Sequence, residues 1–263
     1  MYKLQDKKLM FDDDTIFRVL PPLDFGSTCD IYKLRICGQL YAVKVFNGLE
    51  RVGLNECLEK QSINISSYIT PLKILYINGK FKGYAMKFCE GRNLACRRLD
   101  LSIEEFAKST IKLMEDTEKL SELKFQLYDS YITNGMYDNG FKMIDTDDYY
   151  YLPNESLTQI QDENRKRLNL FLKDVFVKNT GLYKISDHKL KNVIEKCDKG
   201  EILFDEVFNI FCSKAYNITD TELENISDIG KVLSKSKKRW YNYLFLWYNT
   251  NGFLNYTSMD LYV

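Results

Sequence analysis

Histidine occurs once, proline four times, and no Cys-x-x-Cys pair is present in the 263 residues. The lone His188, in Ser-Asp-His-Lys, has no clustered Cys or His beside it. That excludes zinc chemistry and a serine–histidine triad and leaves it as a surface or capping residue. The seven cysteines, at 29, 37, 57, 89, 96, 197 and 212, are odd in number and read as small core hydrophobes in a reducing compartment, not as a disulfide framework. Charge of one sign is also missing. Lys plus Arg and Asp plus Glu each total 37, so there is no global field to gather nucleic acid or an anionic membrane. No apolar run approaches the roughly 18 residues that span a bilayer. The opening Met1-Tyr2-Lys3-Leu4-Gln5-Asp6 is polar, unlike a signal peptide, and the expected location is the cytoplasm.

What is present is ample core material. Apolar residues make up 45% and aromatics 14%, which predicts a chain folded throughout. From Ile16 to Phe88 the texture is strand. Ile31–Ile36 alternates, Cys37-Gly38-Gln39 turns, and Leu40–Phe46 is rich in β-formers, which predicts a hairpin. Leu72–Ile77 and Lys80–Phe88 flank Asn78-Gly79, the strongest two-residue hairpin signal. Between the hairpins, Leu54–Lys60 fits one short helix. After Arg92 the chain reads as long helices. Ser102-Ile103-Glu104-Glu105, Ser156-Leu157-Thr158-Gln159 and Thr219-Asp220-Thr221-Glu222 are capping boxes, and Ile103, Ala107, Ile111, Met114, Leu120 and Leu123 form an apolar stripe after the first. The expectation is an α+β chain of two lobes, residues 1–89 strand-rich and 90–263 helical, sharing a cleft. The basic run Lys235–Arg239 and the following Tyr241, Leu244, Phe245 and Tyr248, at helical spacing, read as a C-terminal helix with a solvated turn rather than a nucleic-acid surface.

Lys44 sits inside the strand run Tyr41–Phe46, where an unpaired ammonium would be costly to desolvate, so it needs a partner. Strand periodicity puts Ala42 and Lys44 on one face and Val43 and Val45 on the other. Glu56, on the next helix, is the natural ion-pair candidate. Farther on, Asp129 and Asn134 are followed by a tight turn, Asp138-Asn139-Gly140, and by Phe141–Asp145. That hairpin returns Asp145 to the neighbourhood of Asn134, where two oxygen ligands for one cation would meet.

In order and spacing, Tyr41-Ala42-Val43-Lys44, Met86-Lys87-Phe88-Cys89-Glu90-Gly91, Asp129 with Asn134, and Ile144-Asp145 resemble the active-site segments of the protein kinase family. The resemblance implies a bilobal protein kinase-like fold with an antiparallel five-stranded N-lobe carrying one helix and a mainly helical C-lobe. It implies ATP and Mg2+ as cofactors and transfer of the γ-phosphoryl group to a hydroxyl, on a protein acceptor. On it, Lys44 and Glu56 orient phosphates and Asp129 aligns the nucleophile. Asn134 and Asp145 hold magnesium, Ala42 and the gatekeeper Met86 border the adenine slot, and the backbone of Lys87 and Cys89 meets the adenine edge. Gly26 and Ser27 stand in the place of the glycine-rich loop, of which only Gly26 and the trailing Ile31 match the pattern.

Other departures shape the expectation. Leu127 and Tyr128 replace the His-Arg before the catalytic aspartate, which implies activity that is constitutive or partner-controlled. Thr146-Asp147 replaces Phe-Gly, an Ile-Asp-Thr-Asp form similar to that of some bacterial kinase-like proteins, with Asp147 a further metal-ligand candidate. No Ala-Pro-Glu follows, which leaves a small-molecule kinase of the aminoglycoside or choline type as an alternative, and the reduced glycine loop and missing His-Arg leave a pseudokinase acting as an interaction module as another.

Overall fold

Two turns that only a few residue types tolerate fix the sheet. Asn78 and Gly79 take φ of 54° and 73°, and Cys37 and Gly38 take 48° and 84°, so each pair reverses the chain in two residues. Strands β4 (Cys29–Ile36) and β5 (Gln39–Phe46) pair across the second turn; β6 (Pro71–Ile77) and β7 (Lys80–Lys87) pair across the first. The computed structural model describes residues 9–11, 16–17, 24–25, 29–48, 53–96, 98–182, 187–219 and 223–235. Within these, β1 (Leu9–Phe11) joins β6, and the five strands form an antiparallel sheet in the order β1-β6-β7-β5-β4. Two-residue strands extend its edges, β2 (Ile16–Phe17) beside β1 and β3 (Asp24–Phe25) beside β4.

The strand period divides the sheet as expected. Tyr41, Val43, Val45, Leu75 and Ala85 pack on one face, and Ala42, Phe46, Ile74, Tyr84 and Met86 on the other with Cys57 of helix α1 (Leu54–Lys60). Lys44 lies on that second face.

The second lobe is built on helices α2 (Ile103–Glu122), α3 (Leu157–Thr180), α4 (His188–Asp198), α5 (Phe204–Tyr216) and α6 (Ile226–Lys235). The boxes at Ser102 and Ser156 form as read, each serine oxygen accepting the third helical amide while that residue's side chain accepts the serine amide. At α6 the start differs. The helix opens at Ile226, where Asp228 accepts the Asn225 amide at 3.0 Å, not at the Thr219 box, whose residues 220–222 lie outside the described ones. The stripe of α2 is wider than expected: Ala107 and Leu120 are buried and Ile103 and Met114 pack against the core as read, Phe106 and Leu113 join them as buried anchors, and Leu123, one residue past the helix, is exposed. The reading of 241–248 falls outside the described residues.

Between α2 and α3 the chain makes β9 (Phe125–Gln126), the hairpin β10 (Gly135–Tyr137) and β11 (Phe141–Met143), and β12 (Tyr150–Tyr151), which pairs with β9. β8 (Arg92–Asn93) closes a small sheet against β10. Two stretches of chain join the lobes. One is the short linker 88–91. The other is residues 61–70, which in chain order belong to the first lobe, yet Ile63, Ile65 and Tyr68 enter the core of the helical lobe. There the Tyr68 hydroxyl meets Thr117 Oγ1 at 2.6 Å, and Ser67 O and Ile69 N bond the Met143 backbone at 2.7 and 2.9 Å. This is a two-lobed α+β architecture, a sheet lobe with one helix joined to a mainly helical lobe, as expected from the sequence.

Candidate active site

The site is assembled from both lobes around Lys44. Its ammonium, on a side chain that is only 8% exposed, donates to Asp145 Oδ1 and to both oxygens of Asp147, the latter at 2.8 and 3.0 Å. Asp147 also accepts from the Tyr84 hydroxyl at 2.7 Å. Tyr84 faces Lys44 across the β5–β7 ladder, so the two side chains rise from the same face of the sheet. Burial works against the Lys44 charge, but the attraction of Asp147 and Asp145 more than offsets it and holds the ammonium above its ordinary pKa. Burial also opposes ionisation of Asp147, yet the Lys44 charge and the hydrogen bonds keep that carboxyl below the usual range. Asp145 goes the other way. Burial, with the Asp147 charge beside it, outweighs the pull of Lys44 and pushes the carboxyl up to about 6.

The expected Lys44–Glu56 pair is not formed. Glu56 is exposed, and its carboxylate reaches back to the Gly53 amide at 3.0 Å, where it caps the first turn of α1. A carboxylate engaged at its own helix start points away from the sheet, and α1 turns Cys57 and Lys60 inward instead.

The expected hairpin forms and returns the chain to Asn134. Asp138-Asn139-Gly140 makes the turn, and the Ile144 amide then bonds Asn134 O at 2.8 Å, which sets Asp145 one residue beyond Asn134's backbone. The Asn134 carboxamide donates its N–H to Asp129 O at 2.8 Å, leaving its own oxygen as the atom available to a cation. Asp129 and Asp145 both adopt positive φ, 51° and 60°, a backbone state uncommon for residues with a side chain and concentrated where geometry serves a site.

Two asparagines hold this loop, and the sequence reading passed over both. Asn164, wholly buried on α3, accepts the Leu127 amide at 2.6 Å and donates to Phe125 O and Ser121 Oγ, both at 2.9 Å. Asn93 donates to Thr133 O at 2.8 Å. The signal for Asn164 was available: it is a polar residue on the row Ile160, Asn164, Leu168, a face otherwise apolar.

On the sheet side, Ala42 and Met86 stand opposite each other in the ladder and are both buried. Lys87 ends β7 with its side chain exposed, and the half-buried Cys89 thiol donates to Asp138 Oδ2 at 3.7 Å. Gly91 in the linker lies so close to β10 that an added Cβ would meet the Tyr137 carbonyl oxygen at 2.1 Å. Gly26 and Ser27 lie outside the described residues. Among the described residues, no group of three or more His, Cys, Asp or Glu side chains is placed to hold a metal ion, and no helix is long and apolar enough to cross a membrane.

A sheet lobe with one helix, a short linker, and a lysine of the sheet that meets an aspartate of the helical lobe make up the junction. No protein-family model matches the chain, and no curated protein does. Among solved structures it is similar to the crystal structure of the yeast RNA Pol II CTD kinase CTDK-1 complex, with 16% sequence identity and a TM-score of 0.47. The match covers 62% of this chain and 66% of that one, just under two thirds of its length.

Proposed function

We propose that the chain is a kinase-like phosphotransferase that binds ATP with Mg2+ between its lobes and transfers the γ-phosphoryl group to a hydroxyl on a protein. The observation that carries this reading is the convergence of Lys44 and Asp145, 101 residues apart in the chain, with Asn134 tied to the strand that delivers Asp145. The donor set suits the group: one half-open carboxylate and one carboxamide oxygen are hard ligands, and Mg2+ keeps waters and takes phosphate oxygens for the rest. When bound, ATP supplies the phosphoryl group and the metal neutralises its charge. Lys44 orients phosphate oxygens, Asn134 and Asp145 hold the metal, and Asp129 orients the acceptor hydroxyl and takes its proton. Ala42 and Met86 border the base, with the backbone of Lys87 and Cys89 at its edge and the loop of Gly26 and Ser27 assigned to the phosphates.

One observation favours a smaller acceptor. Helix α3 begins at Leu157, so only residues 146–156 separate the metal aspartate from the next helix, which leaves little chain to dock a peptide. Labelling with γ-labelled ATP tests both readings. A generic protein, a panel of sugars and a panel of amino alcohols are offered in parallel to the parent, Lys44→Ala and Asp145→Ala proteins. Transfer to protein by the parent alone is the expected result. Label appearing only on an amino alcohol or sugar would move the assignment to a small-molecule kinase. Equal transfer by all three proteins, or none by the parent, would overturn the roles given to these residues.

A further inference from the structure

We propose that Lys44 is held in its phosphate-binding position by Tyr84 and Asp147, not by helix α1, so that Tyr84 and Asp147 are positioning residues for the nucleotide. The inference rests on the nucleotide-binding reading above and assigns the parts that make it possible.

Three groups close on one another. Tyr84 and Lys44 are direct neighbours in the ladder, the Tyr84 hydroxyl donates to Asp147 Oδ1 at 2.7 Å, and Asp147 accepts from Lys44 at 2.8 and 3.0 Å. The turn that presents Asp147 is itself fastened, because Thr146 Oγ1 donates to Ile69 O at 2.9 Å and the Tyr149 amide bonds Thr146 O at 3.2 Å. A charged pair with a third, neutral donor and little solvent has a defined geometry, which an exposed pair of flexible chains lacks.

The two carboxylates on Lys44 differ in access, and the difference divides their work. The Asp145 side chain is 36% exposed and the Asp147 side chain 2%. A cation arriving with a nucleotide can reach Asp145, whereas Asp147 is sealed and already accepts from two donors. Asp147 therefore fits an anchor better than the metal ligand its sequence position suggested.

Helix α1 offers no competing anchor. Glu56 is engaged at Gly53, and the inward residues are Cys57 and Lys60. The Lys60 ammonium, on a residue that is wholly buried, donates to the Glu56 carbonyl of its own helix at 3.1 Å. A thiol and a second cation cannot pair with an ammonium. Among the described residues the carboxylates in contact with Lys44 are Asp145 and Asp147 alone. A displacement of α1 would thus leave the lysine where it is.

The test compares full-length Tyr84→Phe, Asp147→Asn and Glu56→Gln proteins for affinity to ATP with Mg2+ and to ADP without it, and follows each by urea unfolding. Tyr84→Phe and Asp147→Asn are expected to weaken both nucleotides by about ten-fold or more, and Glu56→Gln by less than about two-fold. Parent-like binding by Tyr84→Phe, or an equal loss in Glu56→Gln, overturns the proposal. Loss with Mg2+ only, from Asp147→Asn, overturns it in favour of a metal ligand. If Asp147→Asn does not fold, Tyr84→Phe against Glu56→Gln still decides. A parent that binds neither nucleotide overturns the proposed function instead, and two unfolding cycles then judge the anchor alone. Lys44→Met with Tyr84→Phe is expected to couple by about five-fold or more in the unfolding constant, and Lys44→Met with Glu56→Gln by none. Absence of the first coupling overturns the anchor.

Discussion

Two carboxylate centres lie under the lobe junction, and they are provided for in opposite ways. Asp116, wholly buried on α2, accepts from Ser66 Oγ and Ser67 Oγ at 2.9 Å and from the Ser67 amide at 3.2 Å, and it pairs with Lys112 and Lys119 at 2.8 and 3.2 Å. One anion has five donors. Burial alone would raise its pKa, but those bonds win and bring it down to about 2. At the cleft, two carboxylates share one ammonium, and Asp145 is pushed up to about 6. A saturated carboxylate fastens structure. An under-provided one, still open to solvent, has capacity left for a cation, and it is where a site should be sought.

The comparison can be broken from either side. The largest expected effect is on chemistry: Lys44→Met should lose phosphoryl transfer by at least about a hundred-fold. Because the substitution also leaves the sealed Asp147 carboxylate without its ammonium, the rate is read on the fraction that urea unfolding shows to be folded. In the helical lobe the order reverses. Asp116→Ala leaves buried serine donors and two lysines without their acceptor and should cost about 2–4 kcal/mol in urea unfolding, with the residual transfer rate of the folded fraction unchanged.

The pH dependence sharpens the contrast, because the two shifts have opposite signs. A carboxyl lowered to about 2 in the folded state contributes stability that is complete above the unfolded value near 4 and is lost as pH falls from about 4 to about 2. A carboxyl raised to about 6 binds more protons folded than unfolded, so its effect on stability becomes less favourable as pH rises from about 4 to about 6. Unfolding measured across both windows should show Asp116→Asn flattening the acid limb and Asp145→Asn flattening the upper one. Interchanged effects would mean the two centres are misassigned. The smallest effect belongs to a group remote from both. Ser102→Ala removes one oxygen from the start of α2 and should cost about 1 kcal/mol, with neither pH limb altered.

Local rules make much of this legible in the sequence. The Asn78-Gly79 and Asp138-Asn139-Gly140 turns, the serine capping boxes and the two faces of β5 depend on a few adjacent residues, and each formed as read. The approach of Asp145 to Asn134 was legible for the same reason, since a hairpin constrains both its ends. What the chain order concealed was competition. Glu56 had two possible partners, a lysine in a distant strand and an amide three residues back, and the near one prevailed. Asp147 was visible only as an extra acid, because its meaning depends on Tyr84, 63 residues away, meeting it in the interior. Asn164 stood out as a polar residue on an apolar row, but what it holds, the Leu127 amide and the Phe125 carbonyl, are backbone groups that carry no residue identity to read.

The segment 61–70 has a mechanical implication. A body fastened at one strap can swing freely, but one fastened at two rocks only about the line that joins them. Here the straps are the linker at 88–91 and a pillar that bonds Met143 and Thr146, next door to the two cleft aspartates. The strand-rich lobe is therefore tied at two places, one of them beside the aspartates that meet Lys44.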